Sequence, residues 1–101
     1  MKVQRATIYR ANGDISSMVA PADDRQFTLA ELQKLVGGYI ELVPGTGPLD
    51  GESAYCSEEG RIRELLPNER ASIAFGMRLC GDVVLVRTHT LVKPRSKAVQ
   101  S

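Results

Sequence analysis

Residues 27–42 constrain the fold more than any other part of this 101-residue chain. Thr28 stands three residues before Glu31, the spacing of a capping box, in which the Thr hydroxyl and the Glu carboxylate each accept a hydrogen bond from the other residue's backbone N–H. Apolar residues then recur at helical spacing and predict one buried stripe. The glycine pair at 37–38 predicts the end of the helix, because glycine adopts the left-handed conformation with least strain. Alternating residues 39–43 then predict a half-buried strand.

The rest of the chain adds strands and a second helix. An Asn-Gly turn at 12–13 between two apolar stretches predicts a hairpin, and a turn at 58–60 predicts another between 53–57 and 61–65. Asn68 can cap a second helix. The continuous apolar run at 83–86 is typical of a central strand buried on both faces. We therefore predict an α+β fold with two short helices on one side of a mostly antiparallel sheet of about five or six strands, in the order ββαβββαβ.

The composition predicts one globular domain. Hydrophobic residues make up 43% of the chain and charged residues 25%, as in ordinary globular proteins. We place this domain at residues 1–93, followed by a flexible basic tail at 94–101. No apolar run approaches the roughly 20 residues that span a bilayer, and the first residues lack a secretory signal. The prediction is a cytoplasmic protein without a membrane partner, in which Cys56 and Cys80 are reduced thiols.

Basic charge is concentrated at the C-terminal end, where no acidic residue follows Asp82. Such an end can attract nucleic acid or an acidic protein surface through long-range Coulomb forces. A solvated tail is the alternative, and it is favoured because no aromatic residues for base stacking are interleaved with these charges. Tyrosines in predicted strands are further contact candidates, although tyrosine at a strand position more often packs half-buried. The residues that we predict for partner binding are Arg87, His89, Lys93, Arg95, Lys97, Tyr39 and Tyr55.

Catalytic chemistry is poorly represented in the sequence. His89 is the only histidine, and neither Cys56 nor Cys80 has a local partner that marks an activated thiol. One histidine and two distant cysteines fall short of the four ligands of a closed zinc site. We predict that the protein is not an enzyme and has no metal or cofactor.

Five motifs follow one another along the chain. They are Phe27-Thr28-Leu29-Ala30-Glu31-Leu32-Gln33, Val36-Gly37-Gly38-Tyr39-Ile40-Glu41, Glu58-Glu59-Gly60, Pro67-Asn68-Glu69-Arg70-Ala71 and Gly81-Asp82-Val83-Val84-Leu85-Val86. Taken in this order, they resemble a family of short proteins of unknown function that is spread among bacteriophages, plasmids and their bacterial hosts. The resemblance covers residues 2–86 and implies an accessory protein of a mobile element, without catalytic or ligand-binding residues that can be carried over. The chain departs from the family pattern in the Gly- and Pro-rich stretch at 44–51 and in its basic end.

These observations support three functional hypotheses. The first is a non-enzymatic accessory protein of a phage or plasmid that binds a host macromolecule, above all a host protein, with a component of antiviral defence as one candidate target. The second is a nucleic-acid-binding module that uses the basic C-terminal segment. The third is an oligomer that sequesters a nucleotide signal between its subunits. A monomer and a homodimer are both compatible with the sequence.

Overall fold

The structure, a computed structural model, describes residues 2–20, 26–47, 51–59 and 65–90. Its elements in chain order are β1 (Lys2–Tyr9), β2 (Ile15–Val19), α1 (Leu29–Val36), β3 (Ile40–Leu42), β4 (Glu52–Ser57), α2 (Glu69–Phe75) and β5 (Val83–Thr90). The strands form one five-stranded sheet in the order β2-β1-β5-β4-β3, and every neighbouring pair is antiparallel. The α+β class and the antiparallel sheet are thus confirmed.

The two helices lie against opposite faces of the sheet, so the prediction that both cover one side was wrong. Along β5, Val84 and Val86 belong to the core beneath α1, whereas Val83 and Leu85 belong to the core beneath α2. All four side chains are at most 6% exposed. A strand that is apolar on both faces needs cover on both faces, and the position of β5 at the centre of the sheet requires one helix on each side.

The order of elements agrees with the prediction through β4 and again from α2 onwards. The additional strand expected around residues 61–65 falls almost wholly outside the described residues, which resume at Leu65. The predicted tail at 94–101 lies outside them as well.

The core beneath α1 forms because the capped helix presents its apolar stripe to the sheet. The backbone N–H of Thr28 donates to Glu31 Oε1 at 2.8 Å, and the N–H of Glu31 donates to Thr28 Oγ1 at 3.1 Å. Gly37, with a φ of 95°, ends the helix in the left-handed conformation. The predicted capping box and glycine stop are confirmed. Buried members of this core are Ala6, Ile8, Ala20, Phe27, Leu32, Val36, Val84 and Val86.

The core beneath α2 is organised around one buried polar side chain. Asn68 is 1% exposed, and its Oδ1 accepts from the N–H of Ala71 at 3.1 Å to cap the helix. Its Nδ2 donates to the carbonyl of Tyr9 at 2.7 Å and to that of Gly81 at 2.8 Å. The side chain therefore joins the start of α2 to the end of β1 and to the turn before β5. The rings of Tyr9 and Phe75 close this core in an edge contact, with centroids 5.9 Å apart.

Candidate interaction surface

The basic residues predicted for partner binding do not form one described site. Arg87 lies half-exposed on the α2 face, and its Nε is 2.9 Å from Glu52 Oε2, so its charge is already paired. His89, in β5, pairs with Val3 of β1, and its side chain is outside the described part of the chain. Lys93, Arg95 and Lys97 also lie outside it.

The two tyrosines have different environments. Tyr55 pairs with Val84 and packs, partly buried, against the core beneath α1, so it has a packing role. Tyr39 lies just before β3 and is 67% exposed. The Tyr39 carbonyl accepts a hydrogen bond from the N–H of Glu58, the residue directly after the six-residue β4. Arg87 pairs with Glu52, the first residue of β4. Tyr39 and Arg87 thus lie at opposite ends of β4, and at about 3.4 Å per residue these two ends are about 17 Å apart.

Tyr39 stands in a shallow, open depression that we name the Tyr39 surface, lined by Gln33, Gly38, Tyr39 and Glu59. Main-chain hydrogen bonds fix its walls. The carbonyl of Gln33 accepts from the N–H groups of Gly37 at 2.7 Å and Gly38 at 3.0 Å, which folds the glycine turn back onto the helix end. The N–H of Glu58 donates to the Tyr39 carbonyl at 3.0 Å and ties the tyrosine to the end of β4. An exposed aromatic ring is thus held on a fixed backbone.

Sequence reasoning missed most of this surface. Residues 28–38 each have a structural reason to be present in a capped helix and its stop, so Gln33 and Gly38 gave no sign of a second role. The one available signal was the aromatic residue directly after the glycine pair, where the chain emerges from a turn rather than from the middle of a strand.

The charge around the Tyr39 surface is negative. Glu59, which lines the surface, and Glu58 are exposed just after β4, and Glu41, two residues after Tyr39, is exposed in β3. Lys34 is an exposed cation in the last turn of α1. Such a surface favours a partner that brings positive charge to an aromatic contact.

The pKa of Cys56 departs clearly from its ordinary value. Burial raises the pKa of this thiol, and the carboxylate of Glu41, the residue opposite it in β3, raises it further. A raised pKa keeps the sulfur protonated, and a protonated thiol is a poor nucleophile. Both cysteines are free. Cys56 therefore acts as a small apolar core residue.

A second exposed set lies on β2, at the edge of the sheet. All five residues of this strand are exposed, including Ile15 at 47%, Met18 at 38% and Val19 at 47%. We name this strand with its outer hydrogen-bonding edge the β2 edge. Because side chains alternate along a strand, Ile15 and Val19 lie on one face of the sheet and Met18 on the other. Exposed apolar residues therefore flank this edge on both faces.

The described ranges also bear on metal binding and on membrane insertion. Within them, no three His, Cys, Asp or Glu side chains are grouped so that they could hold a metal ion. No helix of the described residues has the length and apolar character to cross a bilayer.

The fold and its surfaces define a small α+β protein in which one antiparallel sheet is covered by a helix on each face and exposed side chains are available for contact. The chain belongs to the DUF3846 family, a domain of unknown function, whose model matches residues 10–91. Comparison with curated proteins and with solved structures gave no significant match. Membership of a family of unknown function is thereby established, while an origin in a phage or plasmid stays a prediction.

Proposed function

We propose that this protein is a non-enzymatic binding protein that captures a host protein through the Tyr39 surface. The observation that carries the proposal is the 67% exposure of Tyr39 on a backbone held by hydrogen bonds at both ends. A tyrosine that only supports the fold loses stabilising burial when its ring stays in water. At binding surfaces, by contrast, tyrosine supplies a large contact area at low entropic cost and is enriched among the residues that dominate affinity.

The fixed position of the ring supports this role. Gly37 and Gly38 donate to one helix-end carbonyl, and Glu58 donates to the carbonyl of Tyr39 itself. Because these main-chain contacts set the backbone in the free protein, less ordering is required when a partner binds. A preorganised contact residue gives more net affinity than a mobile one.

The charge of the surface indicates the chemistry of the partner. Glu59 lines the depression together with Tyr39 and brings a carboxylate to it, and Gln33 adds an amide that can donate and accept. A Lys or Arg side chain on a host protein would contact the ring face and pair with a carboxylate. Phosphate groups would be repelled, and Arg87, the described basic candidate, is paired with Glu52. These features favour a protein partner over nucleic acid.

The proposal also includes a biological setting, a role for the protein in a mobile element. A small binding protein of this family would serve a phage or plasmid by occupying a host protein, with a component of antiviral defence as the target. The predicted absence of catalysis agrees with a protonated Cys56 thiol, since occupancy of a partner needs no activated nucleophile.

Affinity measurements on matched variants test the proposal. A partner recovered from host lysate by cross-linking is purified, and its Kd is measured against the wild-type chain, Tyr39→Ala and Ile73→Ala. Ile73 is the control because it is apolar, 82% exposed and part of α2, which packs on the face of the sheet opposite to α1. We expect Tyr39→Ala to weaken binding by about 10-fold or more, equal to about 1.4 kcal/mol, and Ile73→Ala to leave it unchanged.

Three results would count against this function. Equal losses for both variants would mean that the effect is not specific to the Tyr39 surface. An unchanged Kd for Tyr39→Ala would remove the surface from the interface. Capture that disappears after nuclease treatment would show that nucleic acid, rather than a protein, is retained. For the proposed biological setting, a host that resists phage equally well with and without the expressed protein would refute a role against defence.

A further inference from the structure

We propose that the β2 edge pairs with the β2 edge of a second copy of this chain, so that two five-stranded sheets join into one continuous sheet across a two-fold axis. This inference is independent of the Tyr39 surface. It rests on the hydrogen-bonding direction of β2, on the lack of charged residues and prolines within Ile15–Val19, and on the self-complementary order of its side chains.

The direction of the main-chain groups in β2 follows from its pairing with β1. The N–H of Ala20 donates to the carbonyl of Gln4 at 3.0 Å, and the N–H of Arg10 donates to the carbonyl of Asp14 at 2.8 Å. In an antiparallel pair the hydrogen-bonded positions alternate, so the even-numbered residues of β2 bond to β1. The N–H and C=O groups of Ile15, Ser17 and Val19 consequently point away from the sheet. In the described part of the chain no segment pairs with them.

Within its strand, this edge lacks the features that normally prevent pairing between sheets. The segment Ile15–Val19 has five residues and contains no charged residue and no proline. The opposite edge of the sheet differs, because β3 has only three residues and includes the charged Glu41. Short strands and charges discourage edge pairing. In the described part of the chain, the β2 edge is therefore the more open of the two.

The side chains of β2 are self-complementary when two copies pair antiparallel about Ser17. Ile15 then stands opposite Val19 of the second copy, and the two Ser17 residues face each other on the axis. Hydrogen-bonded pairs form at all three outward positions, giving about six main-chain hydrogen bonds. Ile15 also neighbours Tyr9 within its own sheet, so an apolar row continues across the junction. Such a contact uses the same patch on both copies, as a two-fold dimer requires.

Other antiparallel registers are less favourable. A shift by two residues in one direction places Val19 opposite Gly13, in the turn rather than the strand. A shift in the other direction places Ile15 opposite Pro21, which has no N–H to donate. The register centred on Ser17 pairs all five strand residues and brings no like charges together. Strand pairing alone buries less than about 1,200 Å², so the dimer is expected to depend on concentration.

Hydrogen exchange in the wild-type protein tests the pairing without any substitution. Amide exchange is followed by NMR from about 10 µM to about 1 mM, a range suited to a weak interface. The N–H groups of Ser16 and Met18 bond within the monomer and should be protected throughout. Those of Ile15, Ser17 and Val19 should become protected as concentration rises. Protection that is independent of concentration, or a protein that sediments as a monomer at about 1 mM, would overturn the proposal.

Charge variants test the register. Ser17→Lys places two ammonium groups opposite each other on the axis, whereas Ser16→Lys, the matched control, faces Met18 of the second copy. Both side chains are exposed in the monomer, where lysine on an edge strand is well tolerated. We expect Ser17→Lys and Ser17→Asp each to weaken dimerisation at least about 10-fold, and Ser16→Lys to weaken it less than about 3-fold. A mixture of Ser17→Lys with Ser17→Asp should form heterodimers, because opposite charges then face each other. Equal effects of the two lysines, or a mixture that stays monomeric, would refute this register.

Discussion

Removal of the Asn68 side chain should cost this small domain a large share of its stability. In Asn68→Ala the cap of α2 is lost, which typically costs about 1 kcal/mol. The buried carbonyl of Gly81 and the partly buried carbonyl of Tyr9 also lose their amide donors. An orphaned buried polar group costs about 1–3 kcal/mol, with the partly buried carbonyl at the low end. We expect a total loss of about 3 kcal/mol, a substantial fraction of the roughly 5–15 kcal/mol available to a typical domain.

Urea denaturation followed by circular dichroism measures this loss, with Thr28→Ala as the reference. Thr28 caps α1 through an exposed hydrogen bond without bridging other elements, so its substitution should cost only about 1 kcal/mol. Asn68→Asp keeps an acceptor for the cap but removes the amide donors, and it should lose at least about 2 kcal/mol at pH 7. If Asn68→Ala costs no more than Thr28→Ala, or if Asn68→Asp is as stable as wild type, the two amide hydrogen bonds do not hold the elements together.

Two further predictions concern the Cys56 thiol and the helix stop. Because the pKa of Cys56 is raised in the folded state above its ordinary value of 9.0, only the unfolded thiol loses its proton as the pH rises past 9.0. The contribution of this thiol to the free energy of unfolding is therefore complete below pH 9.0 and is lost as the pH rises toward the folded pKa. Measured by urea denaturation, the free energy of unfolding should fall more steeply above pH 9.0 in wild type than in Cys56→Ala. Equal slopes would contradict this cause. Gly37→Ala, at a φ of 95°, should lower the free energy of unfolding by about 1 kcal/mol, whereas a neutral effect in the same assay would mean that the helix end can rearrange.

Features set by neighbouring residues were predictable from the sequence. The capping box of Thr28 and Glu31, the stop at Gly37 and the cap at Asn68 each depend on spacings of a few residues, and each is present. The central position of β5 was also predictable, because an apolar run from 83 to 86 is too long for a half-exposed strand.

Features set by distant contacts were not predictable in the same way. The side of the sheet on which each helix lies depends on how the connecting segments cross the sheet. The local pattern of apolar residues does not indicate that side. The amide of Asn68 bonds to Tyr9, 59 residues away, which no spacing rule indicates. Tyr39 and Tyr55 both stand in apolar patterns in or beside strands, yet Tyr39 is exposed whereas Tyr55 packs against the core beneath α1.

The same limit applies to the exposed edge. Ile15, Met18 and Val19 are residue types that normally lie in a core, but the structure leaves all three exposed. Sequence identifies β2 as a strand, whereas only the order of the sheet shows that β2 lies at the edge.

The central claim, that a host protein binds at the Tyr39 surface, is tested most directly by NMR of the isotope-labelled chain titrated with its purified partner. We expect the largest changes in amide chemical shift at the residues that line that surface, Gln33, Gly38, Tyr39 and Glu59. Changes centred on Arg87 and the C-terminal residues, with the Tyr39 surface unaffected, would contradict it.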